Sequence, residues 1–474
     1  MNSKLFGTSG IRGTLHTLTV EKAFKIGVTI AKFFEKSPIV MCRDHRRESY
    51  PVYEAVKAGI TSAGVDVLDL GELPTTAMLH YLRHANAHGG IAVTGSHTPP
   101  GITGVLIFGE NTAELSTEKE RLFEKLYSKL EMEKTWEDVE RIGKVFSISL
   151  KDIVKAYVTD LSKIVNKSLL RDFEGAIGFD ACSSTAGVVY SRILSNFGVK
   201  VITVDAHLDP TFSSRDPYPR PDNLTNIARI TKKLGLSFSI SIDGDGDRCI
   251  FTCENGLILY GDVSAILLAE HELENLKAHI ETPTIVCPVN TSNIVKYLSQ
   301  RYRCKIVYTK VGPPRIVEKM VELKPNVIFG FEETGKYIYP DNVLYGDPVL
   351  ATLKMIEIIA EKRESLSQLV RKLPRLYQIK KSVKCPEKYK EKLLKRMRFK
   401  WSKKKNVNKI YTIDGLRVEF KDGAWILFRP SGTEPVFRCY VEARTPERAE
   451  NLSREGIKDL KRALRRLKRV SSES

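Results

Sequence analysis

Ser237-Phe238-Ser239-Ile240-Ser241-Ile242-Asp243-Gly244-Asp245-Gly246-Asp247-Arg248 is a strand-like run that ends in three aspartates separated by glycines. In an extended chain, residues i, i+2 and i+4 point to one side, so this spacing predicts that the three carboxylates converge. Three clustered negative charges repel strongly unless a cation sits among them, and oxygen ligands of this kind suit Mg²⁺, with Ca²⁺ or Mn²⁺ as alternatives. An EF-hand is the sharp competitor, because Asp243, Asp245, Asp247 and Glu254 stand at its loop positions 1, 3, 5 and 12. It fails at position 6, which is Arg248 rather than glycine, and before the loop, where the chain reads as strand rather than helix.

Working outward, the same unit recurs three times: a β-rich run, a helix, a second β-rich run, then a polar loop. The copy around the aspartates begins at Val199–Val204 and has its helix near Asn223–Leu234. An earlier copy runs from Val65–Leu70 through Thr76–Ala87 to Gly90–Thr94 and the loop Gly95-Ser96-His97-Thr98-Pro99-Pro100. A later one runs from Lys305–Thr309 through Pro314–Leu323 to Asn326–Phe329 and the loop Gly330-Phe331-Glu332-Glu333-Thr334-Gly335. Alternating strands and helices argue for α/β layers, and ligands bind beyond the C-terminal strand ends of such sheets. Three related α/β domains around a central cleft are therefore expected. The last ~100 residues read as a strand, a helix, several short strands and a long helix, a smaller C-terminal α+β domain. The expected boundaries are 1–149, 150–253, 254–370 and 371–474.

Composition agrees with several globular domains. No apolar run approaches the ~20 residues needed to span a bilayer, and Met1–Gly7 has no signal pattern, so a cytoplasmic protein is expected. The eight cysteines are scattered, with only Cys249 and Cys253 close together, and they match neither a zinc knuckle nor a redox pair. The net charge of +18 attracts anions, and sugar phosphates, RNA and acidic partners all fit. The basic residues Lys403–Lys405 and Lys458, Lys461, Arg462, Arg465, Arg466, Lys468 and Arg469 read as solvated faces. Nucleic acid contact through the last helix is disfavoured because no aromatic residues interleave with its basic ones.

Other loops carry chemistry. Arg429-Pro430-Ser431-Gly432-Thr433-Glu434-Pro435-Val436-Phe437-Arg438 joins two guanidinium groups, two hydroxyls and a glycine turn with free N–H groups, a good anion nest. It lacks the Gly-Lys-Ser/Thr of a nucleotide P-loop. Ser96 sits on a tight loop at a strand end; as a sequence neighbour, His97 is expected to point away from it, which argues against a serine-hydrolase pair. Gly7-Thr8-Ser9-Gly10-Ile11-Arg12-Gly13 offers a flexible backbone with one cation.

In this order, these motifs resemble the α-D-phosphohexomutase superfamily, which includes phosphoglucomutase and phosphomannomutase. The resemblance covers essentially the whole chain. It implies that Ser96 carries the phosphoryl group and ligates the metal with Asp243, Asp245 and Asp247. It implies catalytic roles for Arg12, His97, Arg248 and Lys310, sugar contacts from Glu332, Thr334 and Lys336, and phosphate contacts from Arg429, Ser431, Gly432, Thr433 and Arg438. It implies one Mg²⁺ and a hexose 1,6-bisphosphate that serves as activator and intermediate, interconverting hexose 1-phosphate and hexose 6-phosphate of glucose or mannose. Phosphoglucosamine or phosphopentose substrates, and a sugar-phosphate-binding paralogue with weakened turnover, stay open, as does a homo-oligomer.

The chain departs from that pattern after Ser96. Thr98 and Thr103 stand where the family usually has Asn, and Leu106 where it has a lysine assigned to proton transfer, which leucine cannot perform. Lys336 replaces a common His; Lys336, Lys310 and His97 are the candidates to compensate.

Overall fold

The structure is a computed structural model that describes residues 5–130, 141–276, 280–432 and 434–472. Its first three sheets repeat one plan. In the second sheet the order is Cys249–Cys253, Phe238–Ile242, Ala176–Asp180, Lys200–Val204. The third has Lys336–Ile338, Val327–Glu332, Thr284–Pro288, Lys305–Thr309 in the same order. The first has Thr103–Gly109, Gly89–Val93, Ile39–Arg43, Val67–Glu72, extended at its ends by Ile11–Gly13 and Val145–Ser147. In each, the first-named strand pairs antiparallel with the second, and the rest run parallel.

Each unit thus begins one strand earlier than the sequence pattern suggests. The central strands Ile39–Arg43, Ala176–Asp180 and Thr284–Pro288 are short apolar runs covered on both faces, so they lack the polar alternation that marks a half-exposed strand. Each unit also closes in a hairpin. The connections of those hairpins, residues 94–102, 243–248 and 333–335, are the polar loops, so the topology delivers all three to the same end of their sheets.

The units lock together behind those loops. His80, on the helix Thr75–Leu82, lies 3.0 Å from Asp160 on Leu150–Leu161 and 3.0 Å from Asp347 at the start of Pro348–Lys362. Tyr157 stacks on His80 and donates to Asp347 Oδ1 at 2.6 Å. Next to Asp347, Gly346 has no room for a side chain: a Cβ there would meet the carbonyl oxygen of Asp247 at 2.1 Å. The junction of three units therefore presses directly on the back of the aspartate loop.

The fourth sheet is an antiparallel array in the order Tyr377–Lys384, Val436–Ala443, Trp425–Pro430, Leu416–Phe420, Val407–Tyr411. The helices Glu387–Trp401 and Pro446–Ser472 pack on it through Leu393, Met397, Trp401, Leu452 and Leu460. Fully buried Arg417 docks it on the third unit by donating to the carbonyls of Val289 and Thr291 at 2.7 Å each.

Candidate active site

The Ser96 loop is held from below. Asp44 Oδ2 accepts from Thr94 Oγ1 at 2.7 Å and from the Gly95 N–H at 3.0 Å. Arg46, fully buried, donates to the carbonyls of Ser96 and Thr98 at 2.6 Å each and to that of Pro99 at 3.0 Å. Five N–H donors in a rigid fork can gather several carbonyls in one place, which a lysine could not. The loop so formed puts Ser96 in the left-handed region, at φ +52°. That backbone corrects the expectation for His97. Its Nδ1 lies 3.2 Å from Ser96 Oγ, because a left-handed residue turns neighbouring side chains to one side, where an extended one would splay them. Loss of hydration, reinforced by Arg248 and Arg12, pushes the His97 pKa well down, which favours the neutral ring, with one nitrogen able to donate and the other to accept. Arg12 reaches the same loop, donating from Nε to the Ser9 carbonyl at 3.1 Å and from Nη1 to that of Gly95 at 3.3 Å.

The aspartate loop is also not extended. It is the reversal of a tight hairpin, with Gly246 at φ +70°, and the carboxylates converge because the chain turns around them. Candidate ligand atoms of Asp243, Asp245 and Asp247 lie within 4.8 Å of one another, and all three residues are buried. At that separation each ionised pair repels by about 3.5 kcal/mol at an effective dielectric of about 20, so the cluster needs counter-charge. Part of it is built in. Lys336, 1% exposed, places Nζ 2.6 Å from Asp247 Oδ2, and Arg248 stands 3.7 Å from Asp247 Oδ1.

The oxygens divide into held and free. Asp243 Oδ1 accepts the N–H groups of Asp247 at 3.0 Å and Arg248 at 3.2 Å, and Lys336 takes Asp247 Oδ2. Asp243 Oδ2, Asp247 Oδ1 and both oxygens of Asp245 are buried without a hydrogen-bond partner among the described residues; Arg248 stands 3.9 Å from the first and 3.7 Å from the second. Orphaned buried oxygens converging on one point fit a hard divalent cation. Burial and the neighbouring carboxylates push Asp243 well up, and burial with Asp247 pushes Asp245 up to about 6. Burial acts on Asp247 too, but Lys336 and Arg248 outweigh it and hold that carboxyl low. Glu254 takes no part: it accepts from Ser365 and Ser367 at the start of the helix Leu366–Arg371, which disposes of the EF-hand reading.

The two loops touch. A Cβ at Gly244 would meet the Ser96 carbonyl oxygen at 2.6 Å, so only glycine allows this approach. The third loop joins them through the Cys249 N–H, which donates to the Gly335 carbonyl at 2.9 Å. Glu332 accepts from Thr334 Oγ1 at 3.2 Å, and burial pushes its carboxyl up against the pull of Arg248 and Lys336.

A cavity of about 1010 Å³ opens over these loops. Of the residues singled out in the sequence, Arg12, His97, Arg248, Glu332, Thr334, Arg429, Ser431, Gly432 and Arg438 line it. Ser96 and the three aspartates are buried and are not among the lining residues, whereas their sequence neighbours His97 and Arg248 are. Lys336 points to Asp247 instead of into the cavity, and Lys310 is exposed outside the lining while Val311, Gly312 and Pro313 form part of it. Thr433 falls outside the described residues. The far wall keeps its cations in reserve: Arg429 pairs with Asp414 at 2.7 Å and Arg438 with Glu434 at 2.9 Å, while the space beside Gly432 is open. Asp44, Arg46, Tyr218 and Lys380 escaped the sequence reading. For the first two there was a signal, the charged run Asp44-His45-Arg46-Arg47 just beyond an apolar strand.

Family profiles place this architecture among the sugar-phosphate mutases, enzymes of the isomerase class. Residues 3–134, 155–256 and 260–377 match phosphoglucomutase/phosphomannomutase alpha/beta/alpha domains I, II and III, and 381–457 match the C-terminal domain, so the chain belongs to the phosphoglucomutase/phosphomannomutase family. It is 33% identical to a phosphoglucomutase/phosphomannomutase of Thermococcus kodakarensis over 98% of this chain and 99% of that one. It is 32% identical to a phosphoglucosamine/phosphogalactosamine mutase of Sulfurisphaera tokodaii, covering 95% and 98% of the two chains. A phosphoglucomutase/phosphomannomutase family protein of Burkholderia thailandensis shares the fold at a TM-score of 0.83, with 23% identity and 98% of each chain covered. Among the described residues, no helix is long and apolar enough to cross a membrane.

Proposed function

We propose that this chain interconverts hexose 1-phosphate and hexose 6-phosphate, of glucose or mannose, through phosphoserine 96 and a sugar bisphosphate. The observation that carries this reading is the contact between the Ser96 backbone and Gly244 of the aspartate loop, beside a cavity lined by their sequence neighbours His97 and Arg248 together with Arg429 and Arg438. Asp243 Oδ2, Asp245 and Asp247 Oδ1 would hold one Mg²⁺, which when bound neutralises charge on a transferring phosphoryl group.

In the forward half-reaction, a sugar hydroxyl oxygen bonds to phosphorus as the bond from Ser96 Oγ to phosphorus breaks, and the hydroxyl's proton ends on the departing Ser96 Oγ. On return, Ser96 Oγ bonds to the other phosphorus as the bond from that phosphorus to the sugar oxygen breaks, and the Ser96 proton ends on the sugar oxygen as the product hydroxyl. Neutral His97 Nδ1, 3.2 Å from Oγ, is within reach to accept that proton in passing. Arg12 and Arg248 line the cavity at this end and stabilise phosphate charge. Arg429 and Arg438, with Ser431, Gly432 and Thr433, hold the phosphate that is not reacting. Glu332 and Thr334 hydrogen-bond sugar hydroxyls. Leu106 is fully buried on its strand and transfers no proton. Lys336 acts through Asp247, holding Oδ2 so that Oδ1 stays free for the ion. Lys310 would join only if its exposed side chain swung towards the substrate.

The Sulfurisphaera relative's name favours a second reading, a hexosamine phosphate substrate. A panel of glucose, mannose, glucosamine and ribose 1-phosphates with Mg²⁺ and glucose 1,6-bisphosphate decides between them by kcat/KM. Ser96→Ala should abolish turnover and the phosphate seen on this residue by intact mass; full turnover in that variant would remove Ser96 from the reaction.

A further inference from the structure

We infer that Tyr218 reads a hydroxyl of the sugar ring, a substrate contact that the motifs do not assign; the inference rests on the mutase reading above. Tyr218 lies in the Pro217-Tyr218-Pro219 segment of the second unit and lines the cavity with Glu332, Glu333, Thr334 and Lys380 from the third and fourth. It therefore shares the cavity with the expected sugar contacts, near enough for Glu332, Glu333 and Lys380 to act on it electrostatically.

Its position is set before any ligand arrives. The flanking prolines each have φ locked by their rings, which stiffens the segment. The Tyr218 N–H donates to Asp216 Oδ1 at 3.1 Å, and its carbonyl accepts from Asn223 Nδ2 at 2.9 Å. The Arg220 guanidinium lies 5.6 Å from the ring centre, and the His97 ring packs against it at 5.2 Å. A side chain fixed on this scale loses little entropy on binding.

The hydroxyl is the unspent part of the residue. No described residue hydrogen-bonds it, although a phenol set into a protein wall normally finds a partner. Burial raises its pKa, Glu333 and Glu332 push the same way, and Arg248 and Lys380 oppose them, so the group stays a neutral donor and acceptor. The charges around it are already matched: Lys380 Nζ sits 2.6 Å from a Glu333 oxygen, and Thr334 donates to Glu332. Balanced charge gives an anion no preference for this spot over the Arg429–Arg438 wall. A neutral ring hydroxyl, able to accept from the phenol and donate to a carboxylate, fits it. The contact between Tyr218 and His97 further links the sugar reader to the residue beside Ser96 Oγ.

The test is a cycle between Tyr218→Phe and deoxy substrates. The wild type and the variant are assayed on the sugar 1-phosphate turned over fastest in the panel and on its 2-, 3- and 4-deoxy analogues. Tyr218→Phe should lower kcat/KM on the parent sugar on the order of tenfold. One analogue, the one lacking the hydroxyl that Tyr218 reads, should show no further loss in the variant. An equal loss on every analogue, or no loss on the parent, overturns the inference. Titration calorimetry with glucose 1-phosphate and its deoxy analogues separates this failure from failure of the mutase reading. A wild type that binds without turnover sinks the mutase reading, and the same cycle in Kd then decides Tyr218 by the same criterion. Absence of both binding and turnover across the panel overturns both.

Discussion

On the proposed reading the aspartate loop and the Arg429–Arg438 loop both serve a phosphoryl group, and they are built in opposite ways. The first is dry and held from every side: Gly346, Gly335 and Ser96 press on it, and Lys336 and Arg248 are buried with it. The second is wet. Its Gly432 has open space beside it, and Arg438 and Arg429 are parked on Glu434 and Asp414 at the cleft rim. Bond making and breaking gain from charges that are already oriented where the dielectric is low. In the proposed reaction the sugar is held in two orientations, so gripping whichever phosphate is idle calls for cations that can exchange partners. On that reading a phosphoryl group would meet rigidity where it reacts and adaptability where it waits.

The largest expected break in this comparison is Asp245→Asn. It removes charge from the one carboxylate whose two oxygens are both free, and should cut kcat about a thousandfold or more while abolishing stabilisation by Mg²⁺. Retention of both would put the ion elsewhere. A smaller effect is expected at the wet end. Arg438→Gln should raise KM about tenfold with kcat changed little, because it weakens grip without touching the reacting bond. A fall in kcat with unchanged KM would make the rim part of the chemistry.

The smallest effect sharpens the contrast through pH. The Asp245 carboxyl is pushed up to about 6 by burial and by Asp247, with Asp243 pushed up as well. A raised carboxyl keeps its proton in the folded chain at a pH where the unfolded chain has lost it. The metal-free fold therefore loses this contribution as pH rises from about 4 through about 6. A divalent ion takes the place of the proton, so the rise in Tm on adding Mg²⁺ should be ~2–4 °C larger near pH 7.5 than near pH 4.5. Thermal unfolding in Mg²⁺ and in EDTA measures it; an equal rise at both pH values would mean these carboxylates do not hold the ion.

Much of the candidate-site inventory was legible in the chain because it is local. Asp243, Asp245 and Asp247, the Ser96 loop and the Arg429–Arg438 nest each declare themselves within about ten residues. Their repeat was legible too, though it starts one strand early, since the central strands are uniformly apolar and carry no period. What escaped depends on contacts between distant segments. Arg46 acts on Ser96, 50 residues away. Lys336 finds Asp247 across a domain boundary, and Tyr218 meets a loop more than a hundred residues further along.

By itself, then, the order of residues determined which groups are available: a serine on a strand-end turn, three carboxylates spaced by glycines, a basic nest, and a leucine where proton transfer cannot occur. Tertiary structure alone decided how they are used. It turned His97 towards Ser96 through a left-handed backbone, left Asp243 Oδ2 and Asp247 Oδ1 free by occupying their other oxygens, and kept Lys310 outside the cavity lining. The physical reason is that residue types set charge and hydrogen-bonding capacity, whereas the reach and direction of a side chain depend on backbone conformation and on neighbours that only folding brings near.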